Sequence, residues 1–330
     1  MPIPLKSAAA LLGLAVLACA GCAPTPSTTG RTDRADGADH VDYAPYVSAS
    51  TAYATDAAGS PDAYNLAFVV AKGASCTGSW GGHTKIGDSG VASRLKKLAG
   101  SGATLRVSFG GASGDELATT CDSATDLADA YAEALDAAGG ATHADFDIEG
   151  DALTDSAANT RRAEAIALLQ KERDLDVTFT LPVMPSGLDD DSLDLLEAAN
   201  NASAEVSTVN IMTMNYGESY QGDMSDYART AARATHTQLK KVFGLSDTKA
   251  WQGMALTPML GVNDIDGETF TLADAAQLRS FAEEKGIAWV STWATFRDVA
   301  CAEGTATDDA ATNCSGVRQS AGAYGKALSG

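Results

Sequence analysis

Three acids alternate with apolar residues in His143-Ala144-Asp145-Phe146-Asp147-Ile148-Glu149-Gly150. Along a strand, side chains point to opposite faces in turn. Asp145, Asp147 and Glu149 therefore share one side, with same-face neighbours roughly 7 Å apart, and Phe146 and Ile148 share the other. A solvated edge strand and a calcium loop are alternatives. Calcium loops interleave Gly or Asn between their acids, whereas this run interleaves Phe and Ile. Apolar segments of similar length recur before and after it, separated by helix-like segments, which points to a parallel sheet covered on both faces. Carboxylates packed side by side in such a sheet raise one another's pKa by burial and repulsion. A proton is then held near neutral pH, as general acid catalysis requires.

The elements that must position these acids alternate from Val41 onward. Strand-like segments fall at 43–47, 64–71, 105–109, 143–149, 177–183, 206–216, 251–260 and 287–293, with 75–82 read as a loop. Helix-like segments lie between them. Val91, Leu95 and Leu98 share a face, as do Leu127, Tyr131 and Leu135, and Ile166 with Leu169. Asp122-Ser123 and Thr271 are placed to cap helices. Eight strand and helix units predict a TIM (β/α)8 barrel over 41–330, a single catalytic domain without a large insertion between strands 7 and 8. A doubly wound sheet is the rival, but no Gly-rich phosphate loop follows the first strand.

Length and charge narrow the function classes. A chain of 330 residues with 45% hydrophobic residues builds a sizeable core. A net charge of −20 without a basic stripe argues against nucleic acid as partner. The first 22 residues read as an export signal, with Lys6 ahead of an apolar stretch too short to span a bilayer comfortably. Ala20-Gly21-Cys22 resembles a lipobox and makes Cys22 a lipidation candidate; ordinary cleavage and free secretion is the alternative. Residues 23–40 read as a disordered linker. The expected location is extracellular, secreted or lipid-anchored, with contact to a membrane only through the anchor.

Beyond Cys19 and Cys22, four cysteines remain, and they allow three pairings. Cys76 with Cys121 and Cys301 with Cys314 is the favoured one. The first two follow strands at one end of the sheet, and the last two close a short loop. Zinc is disfavoured because no C-x-x-C pair occurs and the histidines are scattered. No metal and no cofactor is expected.

In a barrel, catalytic groups gather where strands end. Glu149 is there, with Ser108, Gly110, Met212, Met214, Asn215, Tyr216 and Trp293, and with Trp80 in the loop after the second strand. An acid in a cup of aromatic rings and amides is suited to a sugar. For Trp293 and Trp289 barrel core is an equal reading, and Trp251 is read as core. Arg106 shares the parity of Ser108 and is either turned toward the acids or exposed at the strand start. His143 and His83 read as surface or supporting residues.

Asp145-Phe146-Asp147-Ile148-Glu149 resembles the D-x-x-D-x-D-x-E signature of glycoside hydrolase family 18, the chitinases and their relatives. Ser108-Phe109-Gly110-Gly111 resembles that family's S-x-G-G strand. Met212-Thr213-Met214-Asn215-Tyr216, the segment ending in Gly261-Val262-Asn263-Asp264, and Trp293 with Arg297-Asp298 are similar to bacterial secreted chitinases. Two positions depart: Thr142 stands where the signature has its first Asp, and Asn215 where many members have Asp. The resemblance implies that Glu149 protonates the glycosidic oxygen while the substrate's own acetamido carbonyl attacks the anomeric carbon. Asp147 would orient that acetamido group and share a proton with Asp145. Asn215 and Tyr216 would assist, Trp293 would form the floor, and Trp80 would stack on a neighbouring sugar. The implied partner is chitin or an N-acetylglucosamine oligosaccharide. The short stretch between the seventh and eighth strands predicts an open groove, which suits internal cuts, and a monomer is expected. An endo-β-N-acetylglucosaminidase and a non-catalytic carbohydrate-binding or inhibitor protein on the same barrel are the alternatives.

Overall fold

The computed structural model describes residues 41–305 and 313–330. The expected export signal, Cys22 and the expected linker lie outside the described residues.

In chain order the strands are β1 (Asp42–Tyr43), β2 (Tyr46–Ser48), β3 (Ala63–Ala71), β4 (Gly78–Trp80), β5 (Thr84–Lys85), β6 (Thr104–Gly110) and β7 (His143–Asp147). They continue with β8 (Asp176–Pro182), β9 (Thr208–Met212), β10 (Met254–Thr257), β11 (Gly261–Val262), β12 (Thr269–Phe270) and β13 (Trp289–Val290). The main helices are α1 (Ser89–Ala99), α2 (Leu117–Thr120), α3 (Ala124–Ala137), α4 (Asp151–Thr154), α5 (Ser156–Glu172), α6 (Asp190–Asn201), α7 (Met224–Phe243), α8 (Asp247–Gln252), α9 (Leu272–Lys285) and α10 (Ala323–Ser329).

Parallel pairing runs β1-β13-β10-β9-β8-β7-β6-β3, and β2 pairs with β3. Because β1 and β2 are halves of one segment, broken at Ala44 and at Pro45, which has no N–H to donate, this pairing closes an eight-stranded barrel. The period of 2 then decides what faces inward. Asp145 and Asp147 point into the barrel, while Phe146 points outward and packs against Phe109, Tyr131 and Phe179 beneath the helices. The apolar stripes anticipated on the helices are buried: Val91, Leu95 and Leu98 on α1, Leu127, Tyr131 and Leu135 on α3, Ile166 and Leu169 on α5. Ser123 caps α3, and Thr271 forms a capping box with Asp274 on α9.

Four expectations need correction. The segment read as a loop at 75–82 contains β4, which pairs antiparallel with β3 and is followed by β5, so an added hairpin flanks the barrel. The acidic strand ends at Asp147, and Glu149 lies just past it. The strand expected over 206–216 is Thr208–Met212, because the chain turns at Asn215 (φ 55°) and Gly217 (φ 119°). Trp251 does not begin a barrel strand. Ser246 caps α8 and Gly253 ends it, which leaves Trp251 half-buried on that helix, stacked on His236 with ring centroids 4.0 Å apart. Between β10 and β13 the chain adds only the β11–β12 hairpin and α9, and no large insertion.

Both favoured disulfides form, Cys76–Cys121 and Cys301–Cys314. The first ties the turn after β3 to the end of α2 across a separation of 45 residues. Replacing both cysteines, Cys76→Ala with Cys121→Ala, should lower the unfolding free energy in urea by about 2–4 kcal/mol. An unchanged midpoint and slope would show that the link adds nothing.

Candidate active site

Asp145 is fully buried, and three hydroxyls satisfy it. Tyr46 donates to its Oδ2 at 2.8 Å and Ser108 at 2.6 Å, while Thr180 donates to Oδ1 at 2.6 Å. A second layer holds these donors. Asn210 Nδ2 donates to Thr180 at 2.9 Å, and Thr257 donates to Asn210 Oδ1 at 2.8 Å. Burial raises the Asp145 carboxyl, and the Ser108, Thr180 and Tyr46 hydroxyls together with Arg106 pull it back. Arg106 is buried as well, donating to Asn65 Oδ1 at 2.7 Å and lying over the Trp289 ring at 4.6 Å. Its inward reading is the observed one.

Asp147 has no such cradle. Its carboxyl is buried and Oδ1 has no hydrogen-bond partner among the described residues. Burial, then the charges of Glu149 and Asp145, hold it well above the usual carboxylate range. Glu149 is half-buried at the mouth. Burial raises its carboxyl, and the Asp264 charge raises it further. The stack is therefore graded: an acid supported by hydroxyls at the bottom, an unpartnered one above it, and a partly solvated one at the top. Thr142 is exposed and precedes β7, so the position of the signature's missing acid lies outside this stack. Asp145 has a cation, Arg106, for a charged neighbour below.

These acids open into a cleft of about 630 Å³ lined by Tyr46, Phe68, Asp147, Glu149, Met212, Met214, Asn215, Asp264 and Trp293, among others. Trp293 is half-buried and stacks on Phe68 with centroids 5.5 Å apart and planes at 20°. An irregularity in the β3–β6 register between Leu66 and Val69 re-aims Phe68 toward the cleft. Gly110 and Gly111 make room for this arrangement. A Cβ at Gly110 would meet the Asp147 carbonyl oxygen at 2.2 Å, and one at Gly111 the Phe68 ring at 2.8 Å.

Met212, Met214, Asn215 and Trp293 line the cleft. Ser108 and Gly110 do not. They support Asp145 and Asp147 from behind. Trp80 is not a stacking platform: the β4 hairpin turns it into the core, where Nε1 donates to the Ile86 carbonyl at 3.3 Å. Tyr216 is not at the cleft either. The left-handed turn at Asn215 takes it off the strand's alternation into a cluster with Tyr220 and Tyr227. Sequence reasoning missed Tyr46, Phe68 and Thr180, and gave Asp264 no role beyond its place in the resemblance. Among the described residues, no group of three or more His, Cys, Asp or Glu could hold a metal ion.

No family model matches the chain. A probable bifunctional chitinase/lysozyme of Escherichia coli (strain K12) is 33% identical over 251 residues, covering 72% of this chain and 28% of that protein. Endochitinase 11 of Metarhizium anisopliae is 32% identical over 255 residues, 72% of this chain and 48% of that protein. The catalytic domain of a hyperthermophilic chitinase from Pyrococcus furiosus superposes with a TM-score of 0.76 at 27% identity, covering 88% of this chain and 96% of that domain. These two relatives and this structural neighbour carry chitinase names. A GH18 chitinase from Pseudoalteromonas aurantia shares the fold, at 12% identity and a TM-score of 0.53. The chain spans less than half the length of the curated chitinase relatives it matches.

The unpartnered Asp147 has a consequence for stability. A carboxyl whose folded pKa is raised contributes stability that is complete below its ordinary value of 3.8 and is lost as pH rises through the folded value. Asp147→Asn cannot ionise, so its melting temperature relative to wild type should climb as pH rises above the ordinary value of 3.8. Parallel melting curves above that value would contradict the assignment.

Proposed function

We propose that this chain hydrolyses β-1,4 bonds between N-acetylglucosamine units of chitin or chitooligosaccharides, with retention and with assistance from the substrate's acetamido group. The observation that carries this reading is the pair at the top of the stack. Asp147 has an unsatisfied buried carboxyl oxygen, and Glu149 is an acid raised above the usual carboxylate range; both line one cleft with Trp293. The chitinase relatives and the P. furiosus domain support the choice of substrate.

Glu149 protonates the departing glycosidic oxygen from the cleft mouth, where burial and Asp264 keep it protonated to higher pH than a free Glu. Asp147, neutral or sharing its proton, presents a polar group to the acetamido group and orients its carbonyl toward the anomeric carbon. Asp145 remains below, fixed by its three hydroxyl donors, and its charge helps keep a proton on Asp147. The Trp293 and Phe68 pair gives the sugar ring an apolar floor. Asn215, exposed at the rim and bonded to Asp264, stands where the resemblance places an acetamido contact. A barrel with only a short hairpin and α9 between β10 and β13 leaves the groove without an added wall there, which suits internal cuts by an endo-acting monomer. Two disulfides suit an oxidising, extracellular setting.

Hydrolysis of N-acetylglucosamine oligomers by the wild type and by Glu149→Gln tests the proposal. The variant should lose roughly 10²–10⁴-fold in kcat, the range for removal of a general acid. An inert wild type, or a variant as fast as the wild type, would end this reading.

A further inference from the structure

The β11–β12 hairpin carries two acids of opposite exposure. Asp264 is exposed and lines the cleft. Glu268 is 1% exposed and is not part of the cleft wall. The Gly217 N–H donates to Glu268 Oε1 at 2.8 Å, and the backbone amides of Asn215 and Tyr216 turn to the same carboxylate. Glu268 Oε2 and the Tyr216 hydroxyl, both buried, have no partner among the described residues.

This buried carboxylate faces a backbone that needs holding. Asn215 adopts φ 55° and Gly217 φ 119°, and a non-glycine residue in the left-handed region is unfavourable on its own. Asn215 in turn grips Asp264 twice. Its Nδ2 donates to Asp264 Oδ2 at 3.2 Å, and the Asp264 N–H donates to Asn215 Oδ1 at 3.0 Å. The acids facing Glu149 are Asp147 from its own segment and Asp264 from the hairpin, with Asp189 lining the same cleft. Arg297 is the cation near Asp264. Of these groups, Asp264 is the one placed by the hairpin.

We propose that Glu268 is a positioning residue for the proton donor: it fixes the 215–217 backbone and, through the two Asn215–Asp264 hydrogen bonds, the placement of the Asp264 carboxylate against Glu149. This rests on Glu149 being the acid of the proposed hydrolysis. Glu268 touches neither the cleft nor the reacting atoms. Its effect travels through one loop, from a buried carboxylate to three amides, to an amide side chain and to a second carboxylate.

A ¹³C-carboxyl NMR titration of the full chain tests this without relying on turnover. The Glu149 signal is assigned with Glu149→Gln, and its midpoint is compared in wild type, Asp264→Asn, Glu268→Gln and the Asp264→Asn/Glu268→Gln double variant. Each single variant should lower the Glu149 midpoint by roughly 0.5 pH unit or more, and the double variant should lower it no further. A lower melting temperature in Glu268→Gln with an unmoved Glu149 midpoint would reduce Glu268 to a structural role and overturn the proposal; so would shifts that add. Should Glu268→Gln fail to fold, Asn215→Ala cuts the link to Asp264 while leaving Glu268 in place, and an unmoved midpoint there overturns the proposal equally. Oligomer hydrolysis measured alongside keeps the two readings apart. An inert wild type removes the hydrolase reading, while the midpoints still decide whether Glu268 places Asp264.

Discussion

A closed barrel leaves little water for charge, and this barrel holds Asp145, Asp147 and Glu149 one above another. An isolated carboxylate in such surroundings costs far more than a fold can spare, so each must be neutralised, hydrogen-bonded or solvated. The three solutions differ by depth. Asp145 takes three hydroxyl donors and a nearby guanidinium, Asp147 has its carboxyl held well above the usual carboxylate range, and Glu149 keeps partial access to the cleft. Much of the inner barrel follows from that gradient. Tyr46, Ser108, Thr180, Asn210 and Thr257 come from different strands and form one hydrogen-bonded set beneath the site.

The outer face of the same strand does the opposite work. Phe146 stacks with Phe109 at 5.3 Å and meets Tyr131 and Phe179, so the segment that carries the acids is pinned by aromatic packing on its other side. Behind this layer, Glu116 accepts from Tyr131 at 2.9 Å and from buried Arg162 at 2.6 Å, anchoring the turn that leads from Gly110 and Gly111 to α2. An ion pair this deep is a positioning device more than a source of net stability. The face that carries the acids thus inherits its rigidity from apolar contacts on the other side of the strand.

The parts legible in the sequence were those with a period. Alternation at 145–149 marked the acids and their shared face, and recurring apolar segments counted the barrel strands. The disulfide partners were legible because strand order brought Cys76 and Cys121 to one end of the sheet and chain length kept Cys301 near Cys314. Where the backbone leaves regular geometry, parity stops informing. Asn215 in the left-handed region displaces Tyr216, a hairpin outside the barrel count buries Trp80, and a register irregularity turns Phe68 inward. Pro45 divides the first strand, so nothing in the pattern set Tyr46 apart as the donor to Asp145. Asp264 sits in a hairpin without periodicity, and only the fold brings it to Glu149.

In the proposed hydrolysis Glu149 would supply the proton, Asp147 would hold the acetamido group, and the substrate would supply the attacking oxygen. Turnover of oligomers whose acetyl group is missing only from the sugar contributing the anomeric carbon at the scissile bond tests it most directly. Cleavage at that bond should be lost while fully acetylated oligomers are cut. Cleavage there at an undiminished rate would contradict it.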